Sequence, residues 1–436
     1  METITNVEIP TTEASLTAKP PIKVCMHSIG RAKFDMRIMR DATEIMKVGF
    51  SVTIVDLETD RTQPAEEDVN GVHFKHIFMP KFVGSTRFKP WFPVKLPMII
   101  IYSTIQLLKV QADIYHAHVE TALLACYIAA TLRRKPLIID TPDLTLSDPH
   151  VTRWPRLKGP VIRIIRHVVS SCAGYITASP FYIQELSRLY GAKEVTLIQN
   201  VPPYQRVPKS DRLRQYLDLS PDTRIALYQG VLQPNRSLDI LVHAASFLET
   251  NIVIVMMGPA VKITQDQLED LIACKGVADR IKIIPPVPYE ELLTWTASAD
   301  IGLTLFKPDY SRSIQFTLPN KLFEYMMAGL PVLSSQLDAV AEIIKTYDVG
   351  MILPSLTPLD VGVAINTMLA DNASLARMKN NALEAAKNKF YWEKESSRLV
   401  HLYQNILQRE AQKKPINAIS QPPVLGRWLF KKRKNV

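Results

Sequence analysis

One segment of the sequence combines a helix start, a lysine and a glutamate in an order that suits a phosphorylated ligand. It runs from Leu318 to Val332 and reads LPNKLFEYMMAGLPV, with a proline near the helix start and a glycine and a proline at the helix end. The free N–H groups at Asn320 and Lys321, together with the lysine charge, predict an anion site. Glu324 lies one turn further on, where its carboxylate suits a diol such as a ribose. An ordinary amphipathic helix with a surface glutamate is the alternative interpretation.

A second segment, Tyr228 to Asp239, reads YQGVLQPNRSLD and leads from a predicted strand into a predicted helix. Gly230 lets the backbone approach a ligand closely. Arg236, at the predicted helix start, carries a guanidinium fork that matches the geometry of phosphate. The two residues predict a further phosphate contact. Taken alone, however, a plain strand-to-helix turn is the simpler interpretation.

Two histidines stand close together at the end of another predicted strand. His116 and His118 are spaced i and i+2, so an extended backbone points both side chains to the same face. Such a pair can begin a zinc site, but the neighbouring sequence contains no third ligand and no cysteine. We therefore interpret one histidine as structural and the other as a histidine of a ligand cleft.

The elements that must position these residues alternate between strand and helix along both halves of the chain. Short β-branched runs predict buried strands at Ile22–Met26, Ser51–Leu57, Asp113–His116, Leu137–Thr141, Gly174–Ala178, Val195–Gln199, Arg224–Gln229, Ile252–Met257, Ile281–Ile284, Asp300–Leu305 and Val332–Ser334. Nearly continuous apolar strands with helices between them are typical of parallel sheets that helices cover on both faces. We therefore predict an α/β protein of two doubly wound, Rossmann-like domains facing each other across a cleft, with ligands at the carboxyl ends of the strands.

A proline-rich segment, Asn200–Asp222, separates the two halves. Polar sequence with four prolines and no periodicity is typical of an interdomain connection. The predicted divisions of the chain are a flexible N-terminus at 1–20, an N-terminal domain at 21–203, a linker at 204–222, a C-terminal domain at 223–390, a last helix at 391–410 and a basic tail at 411–436.

Composition excludes several classes of protein. The chain has 436 residues, 47% hydrophobic and 22% charged, which excludes a wholly disordered chain, a collagen and a coiled coil. Its four cysteines form no C-x-x-C pair, which argues against a disulfide scaffold or zinc ribbon and favours a reducing compartment. The apolar run Leu96–Leu108 is too short to cross a bilayer, and the polar N-terminus lacks the apolar core of a signal peptide. We therefore expect a soluble or peripheral protein of the cytoplasm.

Positive charge is concentrated in a few parts of the chain. Lysine and arginine number 52 against 42 acidic residues, which gives a net charge of +10. Three stretches, 81–112, 151–184 and 411–436, contain cations and no acidic residue. Aromatic residues among these cations, and an amphipathic basic helix predicted at 159–171, favour an anionic membrane surface as partner. No motif supports nucleic acid. An ordinary domain helix and a partly ordered insertion are the alternatives.

Taken together, these motifs resemble those of glycosyltransferase family 4, whose members have the two-domain GT-B fold and retain the configuration of the transferred sugar. The resemblance covers about Ile22 to Leu407. Besides the motifs above, it rests on Gly30 after the first strand, Asp35-x-Arg37, Ile139-Asp140-Thr141-Pro142-Asp143, Ser179-Pro180, Asn200 and Phe390-Tyr391-Trp392-Glu393. It implies an acceptor domain followed by a nucleotide-sugar donor domain, with a last helix that crosses back to the acceptor domain.

The resemblance also implies roles for the residues of the donor domain. Arg236 and the helix start at Asn320 and Lys321 match positions that meet the donor diphosphate, and Gly230 lies in the donor-binding loop. Glu324 matches the second glutamate of the family's Glu-x7-Glu signature, which binds the nucleotide ribose. In the other domain, the resemblance implies that His118 is the catalytic histidine near the reacting sugar and that Gly30 contacts donor or acceptor through its backbone.

Three positions depart from the family pattern. The first glutamate of the signature would fall at Phe316, which places the contacts to the donor sugar in doubt. The arginine that usually follows the loop glycine would fall at Val231, and Arg312 or Lys307 is expected to substitute for it. A third departure is Pro142-Asp143, which stands where the family often has a histidine and a glutamate.

The resemblance implies a retaining glycosyltransferase that moves a sugar from a nucleotide-sugar donor to a glycan or lipid-linked acceptor at the cytoplasmic face of a membrane. Retention without a protein nucleophile suggests same-face attack, with the leaving phosphate accepting the acceptor's proton. No Asp-x-Asp motif stands out, so we expect neither a metal nor a cofactor. Two alternatives stay open. One is a GT-B protein that binds a nucleotide sugar or a partner without turnover, and the other is a sugar-nucleotide epimerase.

Overall fold

Runs of buried apolar residues form the strands of two sheets. The computed structural model of the chain describes residues 20–79, 92–145, 155–233 and 236–413. In strand β1 (Ile22–Ser28), Val24, Cys25 and Met26 are all buried, as expected where helices cover both faces of a sheet. The other strands of the N-terminal domain are β2 (Phe50–Glu58), β3 (Glu66–Val69), β4 (Val72–Phe78), β5 (Ile114–His118), β6 (Leu137–Thr141), β7 (Gly174–Thr177) and β8 (Thr196–Leu197). Those of the C-terminal domain are β9 (Arg224–Gln229), β10 (Ile252–Met257), β11 (Ile281–Ile284), β12 (Ile301–Thr304), β13 (Val332–Ser334) and β14 (Gly350–Ile352).

The two sheets have the same topology at their centres. The N-terminal order is β3-β4-β2-β1-β5-β6-β7-β8, and the C-terminal order is β11-β10-β9-β12-β13-β14. The described strand pairs are parallel except β3 with β4, an antiparallel pair at one edge. Each sheet therefore grows outward in both directions from a switch point, between β1 and β5 in one domain and between β9 and β12 in the other. The predicted fold class, two doubly wound sheets, is confirmed.

Helices cover both sheets. In the N-terminal domain they are α1 (Met36–Lys47), α2 (Phe92–Lys109), α3 (Glu120–Arg133), α4 (Pro155–Val169) and α5 (Pro180–Tyr190). They continue with α6 (Arg212–Tyr216), α7 (Leu238–Ala244), α8 (Lys262–Lys275), α9 (Tyr289–Thr296), α10 (Arg312–Gln315), α11 (Asn320–Met327), α12 (Asp338–Tyr347), α13 (Pro358–Ala370), α14 (Asn372–Asn388) and α15 (Trp392–Lys413). Short 3₁₀ turns at Ala32–Phe34 and Ala245–Phe247 precede α1 and follow α7.

Two parts of the N-terminal domain differ from the sequence prediction. The edge strand β3 and its neighbour β4 are absent from the predicted set; β3 reads EEDV and has no apolar run. The segment considered as a partly ordered insertion is, from Phe92 onward, helix α2. Its Leu107 is fully buried, and Ile99 and Ile100 pack against the core of the domain, so packing holds this helix in place despite the internal Pro97.

The segment predicted as a linker, 204–222, is partly built into the C-terminal domain. It contains helix α6, whose Leu213 is fully buried in the core of that domain. Arg214 pairs with Asp300 at 2.6 Å, and both side chains are largely buried. The connection is therefore anchored to the second domain, and the prediction of a plain linker is corrected here.

The last helix, α15, packs against the N-terminal domain although it follows the C-terminal domain in sequence. Trp392, Leu399, Tyr403 and Ile406 are buried in the same core cluster as strands β1 and β2. The Tyr403 hydroxyl contacts His116 Nδ1 at 2.8 Å. This helix thus ties the end of the chain to the first sheet.

Some predicted features lie outside the described residues. These are the N-terminal segment up to residue 19, the basic and aromatic residues at 80–91, and the tail from residue 414. All four cysteines are described, and each is a free thiol.

Candidate functional site

Helix α11 is fixed beneath the end of strand β9 by a buried tyrosine. The Tyr325 hydroxyl accepts a hydrogen bond from the Gln229 backbone N–H at 2.9 Å and lies 3.0 Å from the carbonyl oxygen of Leu227. Gly302 in β12 makes room for the ring, because a Cβ atom there would lie 2.4 Å from it. The helix start is thereby held against the loop that follows β9.

Two glycines allow that loop to lie close to the helix. Gly230 has a φ of +126°, in the region that favours glycine. A Cβ atom at Gly258, after β10, would lie 2.1 Å from the Gly230 carbonyl oxygen. Only a chain without side chains at these two positions brings the ends of β9 and β10 together and leaves the backbone of Gly230 beside Lys321.

Lys321 places a positively charged group in this corner, and no group in the described structure forms a hydrogen bond with it. Its Nζ atom is buried, lies 3.6 Å from the ring centroid of Tyr228 and has no hydrogen-bond partner in the described structure. Burial lowers the pKa of the Lys321 ammonium well below its usual range, repulsion from Arg236 lowers it further, and attraction to Glu324 opposes this. A buried ammonium in these surroundings favours an incoming anion.

Arg236 supplies a second cation on the same side. It follows the loop after β9, and its guanidinium carbon lies 4.8 Å from the ring centroid of Phe306. Lys321 Nζ lies 5.7 Å from the same ring. The two cations therefore share one aromatic wall, built by Tyr228 and Phe306, at the N-terminus of α11. This arrangement suits a ligand with more than one negative charge, such as a diphosphate.

Glu324 is held in place by a chain of hydrogen bonds. Gln229 Nε2 donates to Glu324 Oε2 at 2.5 Å, and the Thr296 hydroxyl donates to Gln229 Oε1 at 2.7 Å. Burial raises the pKa of Glu324, while the hydrogen bond from Gln229 opposes the shift. The carboxylate is thus oriented one turn from the cations, with acceptor capacity left for a hydroxyl ligand.

These residues line a cavity of about 990 Å³ between the two domains. Of the seven predicted site residues, five line it: Gly230, Arg236, Asn320, Lys321 and Glu324. Asn320 also joins the domains, because its Oδ1 accepts a hydrogen bond from Asn200 Nδ2 at 2.7 Å. The structure therefore brings together the residues predicted in the donor domain, although they come from two separate segments.

His118 is not among the residues that line this cavity, and its role as the catalytic histidine near the reacting sugar stays a prediction. It is buried at the end of β5, opposite Asp140 on β6, with its Nδ1 3.5 Å from Asp140 Oδ2. Its ring centroid lies 4.2 Å from that of His116. Gly30 follows β1 and likewise stands outside the lining of the cavity.

Asp140 also corrects the expectation that no third ligand lies near the two histidines. One possible ligand atom from each of His116, His118 and Asp140 lies within 4.8 Å of the others. However, Arg37 donates to both oxygens of Asp140, from Nε at 2.6 Å and from Nη2 at 2.9 Å. Burial opposes ionisation of Asp140, but Arg37 holds its pKa well below its usual range. The carboxylate is committed to an arginine, and the cluster is a buried polar network.

The departures from the family pattern have clear structural outcomes. Phe316 is not among the residues that line the cavity, and its ring stacks on Phe181 of the N-terminal domain, with ring centroids 5.6 Å apart. Val231 lines the cavity as an exposed apolar residue. Neither expected substitute reaches the site: Arg312 lies 3.4 Å from Glu185, and Lys307 is exposed outside the cavity.

Three polar or aromatic residues of the site were not assigned a role from the sequence. Tyr228 and Gln229 stand in the quoted loop motif, but a strand end gives no local sign of a cation–π contact or of a support for Glu324. Asp143 was noted only as a departure, yet it lines the cavity from the N-terminal side. Its position directly after a predicted strand was the available signal.

The fold and this site define a two-domain GT-B protein with a corner of two cations, Arg236 and Lys321, in its C-terminal domain. The model of "Glycosyltransferase Family 4" matches residues 38–201, and that of "Glycosyl transferases group 1" matches residues 209–385. The two matches together span both domains and most of the chain. The chain is therefore a glycosyltransferase whose N-terminal domain matches the family 4 model.

Known relatives and structures agree with this assignment. The D-inositol 3-phosphate glycosyltransferase of Streptomyces bingchenggensis is 26% identical over 309 residues, which are 67% of this chain and 66% of that protein. Sucrose-phosphate synthase from Thermosynechococcus elongatus superposes with a TM-score of 0.72 at 16% identity, over 89% of this chain and 100% of that one. Anabaena HepE in complex with UDP-glucose gives a TM-score of 0.65 at 16% identity, over 90% and 100%. At such identities the structural likeness shows the fold alone.

Proposed function

We propose that this glycosyltransferase transfers a sugar from a nucleotide-sugar donor to a glycan or lipid-linked acceptor, with retention of configuration. The observation that carries the proposal is the Lys321 ammonium, which is buried, has no hydrogen-bond partner in the described structure and lies beside Arg236 at the start of α11. A donor diphosphate would supply the missing negative charge. Glu324, one turn further on, would accept hydrogen bonds from the ribose.

The proposed chemistry needs no nucleophile from the protein. The bond between the anomeric carbon and the leaving phosphate oxygen breaks, and the acceptor oxygen forms a bond to that carbon on the same face. The proton of the acceptor hydroxyl passes to the leaving phosphate. Lys321 and Arg236 would stabilise the charge that develops on the diphosphate, which is where preorganised cations act most strongly.

The names of relatives support this class of reaction. One relative is called a D-inositol 3-phosphate glycosyltransferase, and a structure of similar fold holds UDP-glucose. A polyol or sugar acceptor and a nucleoside-diphosphate donor are the corresponding proposals for this chain.

A second candidate function follows from the departures at Phe316 and Val231. With the ring of Phe316 stacked on Phe181 and an apolar Val231 in the cavity, the site has fewer polar groups than the family pattern provides. A protein that binds a nucleotide sugar or a partner without turnover would tolerate both changes.

A thermal-shift screen against UDP-, GDP- and ADP-sugars tests the donor site. A ligand at 100 times its dissociation constant stabilises the folded state by about 2.7 kcal/mol. We expect a shift for one nucleotide class and its loss in Glu324→Ala, with Glu342→Ala on helix α12, outside the cavity, as matched control. Slow release of free sugar from the bound donor would favour the transferase over the binding protein. No shift with any donor would contradict the proposal.

We further propose that the protein docks on the anionic surface of a membrane, at its cytoplasmic face. Among the described residues, every helix is too short or too polar to span a bilayer. Helix α2, however, exposes one apolar face, formed by Met98, Ile101, Tyr102 and Ile105 at helical spacing, each between 39% and 60% exposed. This helix belongs to the acid-free stretch 81–112, so apolar and basic groups occur together.

Sedimentation with vesicles tests this docking. We expect binding to phosphatidylglycerol vesicles, weaker binding to phosphatidylcholine vesicles, and loss of binding in the double variant Ile101→Asp/Ile105→Asp. Leu359→Asp, at an exposed leucine on α13, is the matched control and should bind like the parent protein. Equal binding by the parent and by the double variant would contradict this surface as the docking site.

A further inference from the structure

Two carboxylates line the described part of the cavity, and they are not equivalent. Glu324 belongs to the C-terminal domain and is already hydrogen-bonded to Gln229. Asp143 belongs to the N-terminal domain, where it follows strand β6 directly. The two acids therefore face the cavity from opposite domains.

The Asp143 carboxylate has acceptor capacity to spare. Among the described residues, its hydrogen-bonding neighbour is the Tyr182 hydroxyl, at a long 3.5 Å. The same hydroxyl lies 2.8 Å from the Ser313 carbonyl oxygen and donates its single proton there. Asp143 thus lies beside the segment that leads into Phe316. Its carboxylate oxygens can accept further hydrogen bonds.

Asp143 is also placed opposite the cations. Asp143 is exposed and lines the cavity. Burial raises the pKa of the Asp143 carboxyl, and the charge of Arg236 opposes that shift, so the two groups act on each other across the cavity. Asp143 lines the same cavity as Arg236 and Lys321, so a ligand whose phosphates meet these cations shares the cavity with the Asp143 carboxylate.

Among the described residues of the C-terminal domain, Glu324 is the one carboxylate that lines the cavity. Phe316 turns its ring to Phe181, and its carbonyl oxygen accepts a hydrogen bond from the Ser179 hydroxyl at 2.7 Å. Leu144, next to Asp143, donates its backbone N–H to the Ser313 hydroxyl at 3.2 Å. The segment around Phe316 thus packs against the N-terminal domain. Asp143 therefore lies at the edge of this segment.

We infer that Asp143 is the carboxylate that binds hydroxyl groups of the transferred sugar, so that the N-terminal domain supplies a contact to the donor that Phe316 does not make. This inference rests on the proposed function, because it assigns one end of the same cavity. Two carboxylate oxygens can accept from two neighbouring hydroxyls, which makes Asp143 a specificity-determining residue.

Nucleotides with and without their sugar separate this role from donor binding in general. Titration calorimetry would use the pairs UDP and UDP-glucose, GDP and GDP-mannose, and ADP and ADP-glucose. In Asp143→Asn and Asp143→Ala we expect unchanged affinity for the free nucleotide and an affinity for its sugar derivative that is lower by about 10-fold or more. Asp309→Asn, an exposed aspartate just outside the cavity, is the matched control and should change neither.

Other outcomes are equally informative. Equal affinity of Asp143→Asn and the parent protein for the sugar nucleotide would overturn the inference, including a result in which only transfer to the acceptor is slower. Equal losses for nucleotide and sugar nucleotide would also overturn it. Failure of the parent protein to bind any nucleotide would overturn the proposed function itself. Thermal melting of each variant without ligand establishes that the fold is intact.

Discussion

The switch points of the two sheets occupy equivalent places in their domains but hold opposite arrangements of charge. Between β1 and β5, the Arg37 guanidinium is paired with Asp140 at 2.6 Å, and both side chains are buried. Tyr403 of α15 covers His116 beside this pair. Between β9 and β12, the Lys321 ammonium has no hydrogen-bond partner in the described structure and lies at the wall of a cavity.

This difference separates a structural crevice from the candidate ligand site. The doubly wound topology offers a crevice at both switch points. In the N-terminal domain the buried cation is neutralised by a bidentate partner from within the chain, so the crevice is closed. In the C-terminal domain the buried cation is left for an anion from outside. We propose that the pairing of charge, more than the topology, determines which crevice binds a ligand.

The largest expected effect comes from breaking the buried ion pair between Arg37 and Asp140. Arg37→Met should lower the free energy of unfolding by about 3–5 kcal/mol, because it leaves Asp140 buried without its countercharge. Urea unfolding measures the loss. Nucleotide affinity of the folded variant should not change, since Arg37 does not line the cavity.

The double variant Arg37→Met/Asp140→Leu provides the control. Replacing both partners with apolar side chains removes the uncompensated charge, so most of the lost stability should return. If folded Arg37→Met lost nucleotide binding instead, the N-terminal switch point would belong to the ligand site, and the contrast between the two domains would fail.

A smaller effect is expected from removing the Lys321 ammonium group, which has no hydrogen-bond partner in the described structure. Lys321→Met should weaken nucleotide binding by about 10- to 100-fold, the usual worth of a charge-assisted contact. The free energy of unfolding should stay equal or rise, because a desolvated ammonium is replaced by an apolar side chain of similar length. Calorimetry and urea unfolding on the same protein measure the two quantities.

Lys307→Met is the matched control, since Lys307 is an exposed lysine of the same domain outside the cavity. It should change neither affinity nor stability. Unchanged nucleotide affinity in Lys321→Met would place the anion elsewhere. A large loss of stability would show that Lys321 is a structural cation, like Arg37.

The contrast also explains which residues the sequence could predict. Lys321 and Glu324 stand within five residues of each other at a helix start, so their joint role is readable locally. The N-terminal network is not local: Arg37 and Asp140 are 103 residues apart, and His116 and Tyr403 are 287 apart. A histidine at a strand end gives the same local signal whether a distant helix covers it or a cleft opens beside it.

The same argument applies to the fold. The central strands were predicted because burial on both faces requires continuous apolar runs. The polar edge strand β3 and helix α6 inside the supposed linker owe their conformation to neighbours that are distant in sequence. The role of Asp143 likewise depends on Tyr182 and Ser313, which come from two different domains.

The smallest expected effect sharpens the comparison through pH. Asp41 is fully buried near Arg37, with no hydrogen-bond partner for either carboxylate oxygen in the described structure, and burial raises its pKa to about 7. Because this folded-state pKa lies above the ordinary value of 3.8, the folded protein holds the proton more tightly than the unfolded chain does. The stability that Asp41 contributes is therefore complete below about pH 4 and is lost as the pH rises through about 7.

Urea unfolding at pH 6 and pH 8 measures this contribution. The parent protein should lose on the order of 1–2 kcal/mol more than Asp41→Asn between the two values, because asparagine does not titrate. Asp309→Asn, at an exposed aspartate, should follow the parent protein. Equal pH dependence in the parent and in Asp41→Asn would contradict the prediction. It would mean that the positive charge of Arg37, although paired with Asp140, keeps Asp41 ionised.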